Sequence, residues 1–458
     1  MAHAGTQELV AELRRWGPLS PGDLQRRLGI SQPTLSRMIR AAALDVVRMG
    51  RARRSRYAAT REIRHLGRAW PVHRVRDGGR IEQVATLHAL APRGWWWDAP
   101  APPRWLVEDH ASGVFPDLPW FLEDLRPQGF LGRAFARRHA AGLGLGSDPQ
   151  RWNADDVLVA LLAAGDDLPG DFVIGDEAVA ILQRARLRDL DAVADEERAT
   201  RYEALAAATL AGDVAGSSAG GEQPKFTTAC RAANGQVRHV LVKFSPPIDT
   251  AAGRRWADLL RGEHVAAEVL QAGGGPACRS TWCAGPQRVF LEVTRFDRVG
   301  AHGRRGVVSL LAVAMAHGVA LDTWAAAADR LERTGWLSPG DADMLRVWWW
   351  FGRLIANADQ HFANVSLWLD DRRPLALAPA YDMLPMHYRP TTAGEIADRP
   401  FEIAVAPPRQ QAAWQRAAEL AIAFWAHVAD DPLVSAAFRA TAATNRRAVA
   451  DAHRRIGG

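Results

Sequence analysis

Lysine is nearly absent from this chain of 458 residues: 55 of its 57 basic side chains are arginine, and only Lys225 and Lys243 are lysine. In a chain that uses arginine wherever any cation serves, a retained lysine marks a position that wants a compact charge on a flexible stem. Cysteine is scarce as well. Cys230, Cys278 and Cys283 are an odd number with no CxxC pair, which argues against a disulfide framework and for reduced thiols in a cytoplasm. No apolar run approaches the ~18–20 residues that span a bilayer. The best stretch, 309–321, is short and broken by His317, so no membrane partner is expected. The N-terminus has no basic segment leading into an apolar core, so no secretion signal is expected either.

What remains is ordinary soluble-protein composition, 48% hydrophobic and 24% charged, with length for two to four domains. The charge is unevenly placed. Residues 1–65 carry 13 arginines against 5 acids, or +8, so the rest of the chain holds about −2 of the net +6. Within that basic segment, ELVAELRRW has helical spacing and stops at Gly17-Pro18. Ser20 caps a second helix with Pro21 at its first position, and Ser31 caps a third, SQPTLSRMIRAA. VVR and RYA then flank an arginine-rich loop. The pattern resembles a winged helix-turn-helix DNA-binding domain. It places Gln32, Thr34, Ser36 and Arg37 at base edges and Arg51, Arg53, Arg54 and Arg56 on a basic wing, with double-stranded DNA as partner. Such domains commonly bind paired half-sites, so a homodimer is the expected assembly.

Residues 66–210 are less regular. RGWWWDAPAPPRW reads as an irregular packed segment, 117–133 as a helix followed by a Pro-Gly turn, and 152–163 and 176–184 as helices. From 211 the texture changes. A glycine-rich loop, AGDVAGSSAGGEQPKF, runs into the strand KFTTACRA, an NGQ turn and the strand VRHVLVKF. A helix over 263–271 and a strand over 289–296 follow, and beyond 305 the chain is mainly helical. A β-rich part followed by an α-rich part predicts two lobes with a cleft between them.

The polar residues of that half form a set. Phosphoryl transfer from ATP requires a carboxylate on the acceptor hydroxyl, oxygen ligands for Mg²⁺, and a cation and backbone donors on the phosphates. ANADQHFANVSLW at 356–368 is largely apolar, yet Asp359 and Asn364 stand five apart with His361 between them. Kinase catalytic loops have that D-x-x-x-x-N spacing, Asp as base and Asn on the metal. Residues 365–378 read as strand, charged turn and strand, which puts Asp382 at the end of the second strand as another Mg²⁺ ligand. Lys243 closes VRHVLVKF, where a kinase strand lysine meets phosphates, and Glu263 on the next helix is its expected partner. Lys225 ends the glycine-rich loop. Walker A spacing is absent, but Gly220 and Gly221 still allow close backbone approach to phosphate.

These stretches resemble the HipA family of serine/threonine kinases, toxins of bacterial toxin–antitoxin systems. SSAGGEQPK (217–225), VLVKF (240–244), TRFDR (294–298), NADQHFANVS (357–366) and YDMLP (381–385) carry the likeness. The fused N-terminal segment resembles the YjjJ branch. The resemblance implies Asp359 as catalytic base, Asn364 and Asp382 on Mg²⁺, Lys243 on ATP phosphates, and Thr294 and Phe296 at the adenine hinge. It also implies an autophosphorylated loop serine, Ser218 or, one register away, Ser217, and protein targets such as aminoacyl-tRNA synthetases or translation factors. Two features depart from the pattern. The hinge reads TRF where the family often has ERF, and the DNA-binding part that a separate antitoxin usually supplies is built in.

The expected fold is therefore α+β: a protein-kinase-like, two-lobed HipA fold preceded by a winged helix-turn-helix domain. The expected boundaries are 1–65 for DNA binding, 66–210 for a HipA N-terminal-like subdomain, 211–300 for the N-lobe and 301–458 for the helical C-lobe. The expected activity is a cytoplasmic ATP- and Mg²⁺-dependent protein kinase. The alternatives are a DNA-binding regulator whose kinase-like part senses nucleotide, and a small-molecule phosphotransferase, whose catalytic loop shares the D-x-H-x-x-N spacing.

Overall fold

The computed structural model describes residues 2–50, 54–187, 191–211, 223–396 and 401–457. The chain starts with α1 (Ala2–Trp16), α2 (Pro21–Leu28) and α3 (Gln32–Ala41), followed by the antiparallel pair β1 (Val46–Met49) and β2 (Arg56–Ala59). Ser20 accepts a hydrogen bond from the Asp23 amide, Pro21 opens α2, and Gly29 closes it at φ 64°. Ser31 stands at the start of α3 but makes no capping bond; its hydroxyl lies 3.1 Å from that of Thr34. Leu9, Leu13, Leu24, Leu35 and Met38 form the core of this unit, with Val46 and Ala59 packed in from the hairpin.

The middle region builds a five-stranded antiparallel sheet from β3 (Ala69–Val75), β4 (Ile81–Ala89), β5 (Trp95–Asp98), β6 (Val114–Phe115) and β7 (Phe172–Ile174), in the order β6-β5-β4-β3-β7. Its helices are α4 (Arg104–Asp109), α5 (Gly129–His139), α6 (Ala154–Ala164) and α7 (Asp176–Arg186). Two expectations are corrected here. The WWWD segment is strand β5, with all three tryptophans buried. A strand buried on both faces loses its alternation, so its sequence does not read as a strand. The expected helix over 117–133 is a 3-10 turn, Trp120–Leu125, and Gly129 starts α5 rather than ending a helix. Arg126 precedes Pro127, which pushes it to extended backbone (ψ 126°) and stops the turn.

The second five-stranded sheet runs β11-β12-β10-β9-β8. Its members are β8 (Ala192–Ala194), β9 (Lys225–Arg231), β10 (Val237–Phe244), β11 (Ser280–Ala284) and β12 (Val289–Thr294), with α8 (Arg198–Ala211) and α9 (Ala251–Ala272) packed on it. β8 pairs parallel to β9, and Val193, Tyr202 and Ala206 share a core with Phe226, Phe244 and Phe290. Residues 192–211 therefore pack with this sheet, not with the 66–210 segment to which the sequence reading assigned them.

A short hairpin, β13 (Arg298–Val299) and β14 (Gly303–Arg304), leads into β15 (Val307–Ser309) and the helical part: α10 (Leu310–Ala316), α11 (Trp324–Arg333), α12 (Pro339–Leu354), α13 (Gln411–Asp430) and α14 (Ala436–Gly457). β16 (Ser366–Trp368) pairs with β15. The expected second arm after the charged turn is not a strand; two backbone bonds, Trp368 to Ala376 and Ala378 to Ser366, hold it beside β16. Pro374 and Pro379 deprive it of ladder donors. Among the described residues no helix is long and apolar enough to cross a membrane.

Aromatic packing joins the middle region to the helical part. Trp105 and Trp120 meet Trp336, and the His317 ring lies 4.2 Å from that of Trp336. Burial pushes the His317 imidazole down to about 4, against the raising effect of Asp109. Its folded value lies below the ordinary unfolded one of ~6.5, so the unfolded chain binds the extra proton and stability is lost as pH falls from ~6.5 toward 4. His317→Phe is expected to flatten the dependence of the thermal midpoint on pH in that window.

Candidate functional site

Strands β9 and β10 pair in a register that sets Lys225 directly opposite Lys243. Both lysines of the chain are buried, 2% and 3% exposed. The Lys243 ammonium is held by two carboxylates: Glu263 of α9, 2.5 Å away, and Asp382 from the segment after β16. Burial alone would lower the Lys243 pKa, but Asp382 and Glu263 outweigh it and hold it above the ordinary value. Burial likewise opposes the charge on Asp382, and Lys243 and Lys225 overcome it, holding the carboxyl below its usual range. At Glu263 burial wins and the pKa is raised.

Two residues beside these groups have left-handed backbone: Ala356 at φ 61° and Asp382 at φ 56°. Such backbone is uncommon outside glycine and persists where surrounding contacts fix it. Asn357, 2% exposed, supplies them. Its amide nitrogen donates to the Asp382 carbonyl at 3.3 Å, and its oxygen accepts from the Asp359 amide at 3.0 Å. Five residues on, the Asn364 amide donates to the Asp359 carbonyl at 2.9 Å. The D-x-H-x-x-N spacing thus closes a loop on itself, and Asn357 ties that loop to Asp382. Gly262, beside Glu263, keeps α9 close to this segment, because a Cβ there would lie 3.2 Å from Pro385.

A cavity of about 230 Å³ lies between the lobes. Of the residues singled out by sequence, it brings together Lys225, Lys243, Glu263, Thr294, Phe296, His361, Asn364 and Asp382. Leu241, Val293, Val307 and Ala363 add apolar wall. Phe296 packs on Trp368 and on Tyr381, ring centroids 5.6 and 5.7 Å apart. Asp359 does not line the cavity; it is exposed next to it. Ser217, Ser218, Gly220 and Gly221 lie outside the described residues, as do Arg51 and Arg53. In the N-terminal unit, Gln32, Ser36 and Arg37 are exposed on α3 and Thr34 is half-buried, while Arg54 and Arg56 are exposed.

The donor set suits magnesium and nucleotide. The Asn364 amide nitrogen is occupied by the Asp359 carbonyl, which leaves its oxygen as the acceptor, and with Asp382 this gives the oxygen ligands that Mg²⁺ prefers. Two ammonium groups beside an apolar cavity match a polyphosphate joined to a base. The sequence reading passed over Asn357, Asp124, Gln128 and Tyr381. Asn357 and Tyr381 stood inside quoted motifs, but the role of Asn357 depends on a partner 25 residues away; Asp124 and Gln128 lie outside those motifs.

The comparisons with known proteins follow the same division of the chain. A family model described as the HipA-like C-terminal domain matches residues 217–452, and one described as the YjjJ-like toxin middle domain matches 66–183. Over 434 residues the chain is 41% identical to a protein of Escherichia coli (strain K12) named Toxin YjjJ, covering 94% of each. Two solved structures share a looser likeness. A chain of the Shewanella oneidensis MR-1 complex of HipA, HipB and its operator DNA has a TM-score of 0.49 at 15% identity, over 84% of this chain and 97% of that one. The Helicobacter pylori proinflammatory kinase CtkA has a TM-score of 0.34 at 13% identity, over 50% and 91%.

Lys243→Met leaves the buried Glu263 and the half-buried Asp382 without the ammonium they share. It is expected to destabilise the protein by about 3–5 kcal/mol, read by denaturant unfolding followed through tryptophan fluorescence. Adding Glu263→Gln is expected to restore part of that loss, since the two sites share one interaction.

Proposed function

The chain belongs to the HipA-like toxin family, in its YjjJ-like branch, and on that premise we propose that it is an ATP- and Mg²⁺-dependent serine/threonine protein kinase joined to a DNA-binding segment. The observation that carries the reading is the buried Lys243 ammonium, shared by Glu263 and Asp382 at the wall of an apolar cavity.

In this reading Leu241, Val293 and Phe296 enclose the base, with Thr294 beside them at the hinge, and Lys243 and Lys225 face the phosphates. Asn364 and Asp382 hold Mg²⁺, which when bound neutralises charge on the phosphates. Asp359 takes the proton of the acceptor hydroxyl as that oxygen bonds to the γ-phosphorus and the bond to ADP breaks. Its exposure beside the cavity suits a hydroxyl carried on a protein chain, which approaches from outside. His361 lines the same cavity and keeps its loop in place by accepting the Asn364 backbone amide at its carbonyl. The target class is the one that the family resemblance implies, an aminoacyl-tRNA synthetase or translation factor. Ser218 or Ser217 is the proposed autophosphorylation site.

The N-terminal unit is proposed to be a winged helix-turn-helix. α3 offers Gln32, Ser36 and Arg37 to base edges, and the β1–β2 hairpin carries Arg54 and Arg56 as a wing. The Leu19 amide donates to the Tyr57 carbonyl at 2.9 Å and the Tyr57 amide to the Leu19 carbonyl at 2.8 Å, so the turn before α2 is stitched to the hairpin. A fused domain of this kind would bind the operator and restrain the kinase without a separate antitoxin.

Purified protein incubated with Mg²⁺ and γ-labelled ATP, alone and with a cell lysate, is expected to transfer label to serine or threonine. Asp359→Ala is expected to lower transfer by about 10²- to 10⁴-fold. Label that persists unchanged in that variant, or nucleotide binding without transfer to any protein, would remove the kinase reading. Duplex DNA is expected to bind the full chain with an affinity that falls steeply between 50 and 200 mM salt, about 10³-fold for six phosphate contacts. Arg37→Ala and Arg54→Ala are each expected to weaken it. Affinity that ignores salt and both substitutions would count against the wing and helix as a DNA surface.

A further inference from the structure

The cavity between the lobes is not built from the lobes alone. Asp124, Gln128 and Pro169 of the middle region also line it. Asp124 lies in the 3-10 turn Trp120–Leu125, which packs on α10 and β15, and its carboxylate accepts the backbone amide of Ser309 at 2.5 Å. Ser309 is paired with Ser366, whose hydroxyl lies 2.8 Å from that of Tyr381. Asp124 therefore lines the cavity together with Phe296 and Tyr381, tied to them through β15 and β16.

A second set of contacts fixes the middle region on the segment that follows the hinge. Asp167 bridges Arg295 at 2.9 Å and Arg298 at 2.7 Å. The Gly170 amide donates to Asp297 at 2.9 Å, and Arg298 donates to the Leu168 carbonyl at 2.7 Å. Asp167 and Asp297 offset Arg295 and Arg298 in this clamp, with buried Arg304 beside them donating to the Asp166 carbonyl. The wall that carries Asp124 and Pro169 is thus held rigidly on both the hinge side and the β15 side.

A carboxyl in a site for a polyanion either holds the metal, the role given to Asp382, or faces the nucleoside. Set against the phosphates it would repel them; set against the nucleoside it meets hydrogen-bond donors, either ribose hydroxyls or a base amino group. Lys225 and Lys243, which line the same cavity, mark the phosphate side in the nucleotide reading. The hydrogen bond from the Ser309 amide falls on Oδ2 of Asp124.

Resting on the nucleotide reading above, we propose that Asp124 is a specificity-determining residue that accepts hydrogen bonds from donor groups of the nucleoside, so that the middle region forms part of the nucleotide site. In this arrangement the middle region does more than space the DNA-binding segment from the kinase lobes: it reads the ligand. Loss of one hydrogen bond to a carboxylate is worth about tenfold or more in affinity.

The test is calorimetric titration of the full chain, carrying Asp359→Ala to prevent turnover, with Mg²⁺ and each of ATP, GTP, 2′-deoxy-ATP and 3′-deoxy-ATP. The titrations are repeated with Asp124→Asn and Asp124→Ala added. At least one of the three analogues is expected to bind about tenfold more weakly than ATP, and that gap is expected to shrink when Asp124 is replaced. Gaps that persist unchanged in both variants would overturn the role of Asp124, as would a loss of affinity equal for all four nucleotides, which a merely structural residue would produce. Asp124→Asn keeps the size and one acceptor, and so guards against loss of folding as the explanation. Failure of the Asp124-intact protein to bind any of the four would instead remove the nucleotide reading itself, and this inference with it.

Discussion

Two lysines facing each other across a β ladder should repel, and in a low-dielectric interior the repulsion is severe. Lys225 and Lys243 occupy that arrangement. It is tolerated because Glu263 and Asp382 converge on it, one from α9 and the other from the segment that follows β16. Much of the rest follows from this requirement. α9 must lie against the sheet with Glu263 inward, the Asp382 backbone must take a left-handed turn, and the two lobes must close on a shared ammonium ion. In the folded chain the Lys243 ammonium is already neutralised by the protein's own carboxylates.

The same logic explains what the sequence disclosed. Scarcity made the lysines visible, because a chain with 55 arginines shows by contrast where arginine was not used. The spacing of Asp359 and Asn364 was visible because that loop is local, closed by a bond from the Asn364 amide to the Asp359 carbonyl. Strands β9 and β10 were visible because the NGQ turn fixes their register. Other features rested on contacts between distant segments. Asn357 acts on Asp382, 25 residues away. β8 joins its sheet by a parallel pairing that no short turn announces. The WWWD strand hides because both of its faces are apolar, and the segment over 117–133 hides because Pro127 divides a stretch whose composition reads as continuous helix.

The middle region shows how a segment without a sequence motif can still matter to a site. Its helix α4 and the turn over Trp120–Leu125 bury aromatic side chains against the helical part, and its loop at 166–170 grips the residues after β12 through paired charges. Charge pairs inside a protein contribute little net stability against an apolar alternative, but they fix geometry, because each guanidinium fork meets its carboxylate in few orientations. Here the geometry fixed is that between a cavity wall and the strand that borders it. The match of one family model to residues 66–183 and of another to 217–452 divides the chain where the fold divides, yet the cavity draws on both sides of that division.

The burial of both lysines has a consequence for the outer surface. With Lys225 and Lys243 2% and 3% exposed, the folded chain presents no accessible side-chain amine. Reagents and enzymes that acylate, methylate or conjugate lysine find nothing to react with on its exterior, whatever partner or compartment it meets. Its outer positive charge rests on guanidinium groups, which hold that charge at any physiological pH and can be methylated but do not take the acylation and conjugation that lysine takes. A small amine-reactive group delivered on a ligand that fits the cavity would, by contrast, find both lysines side by side.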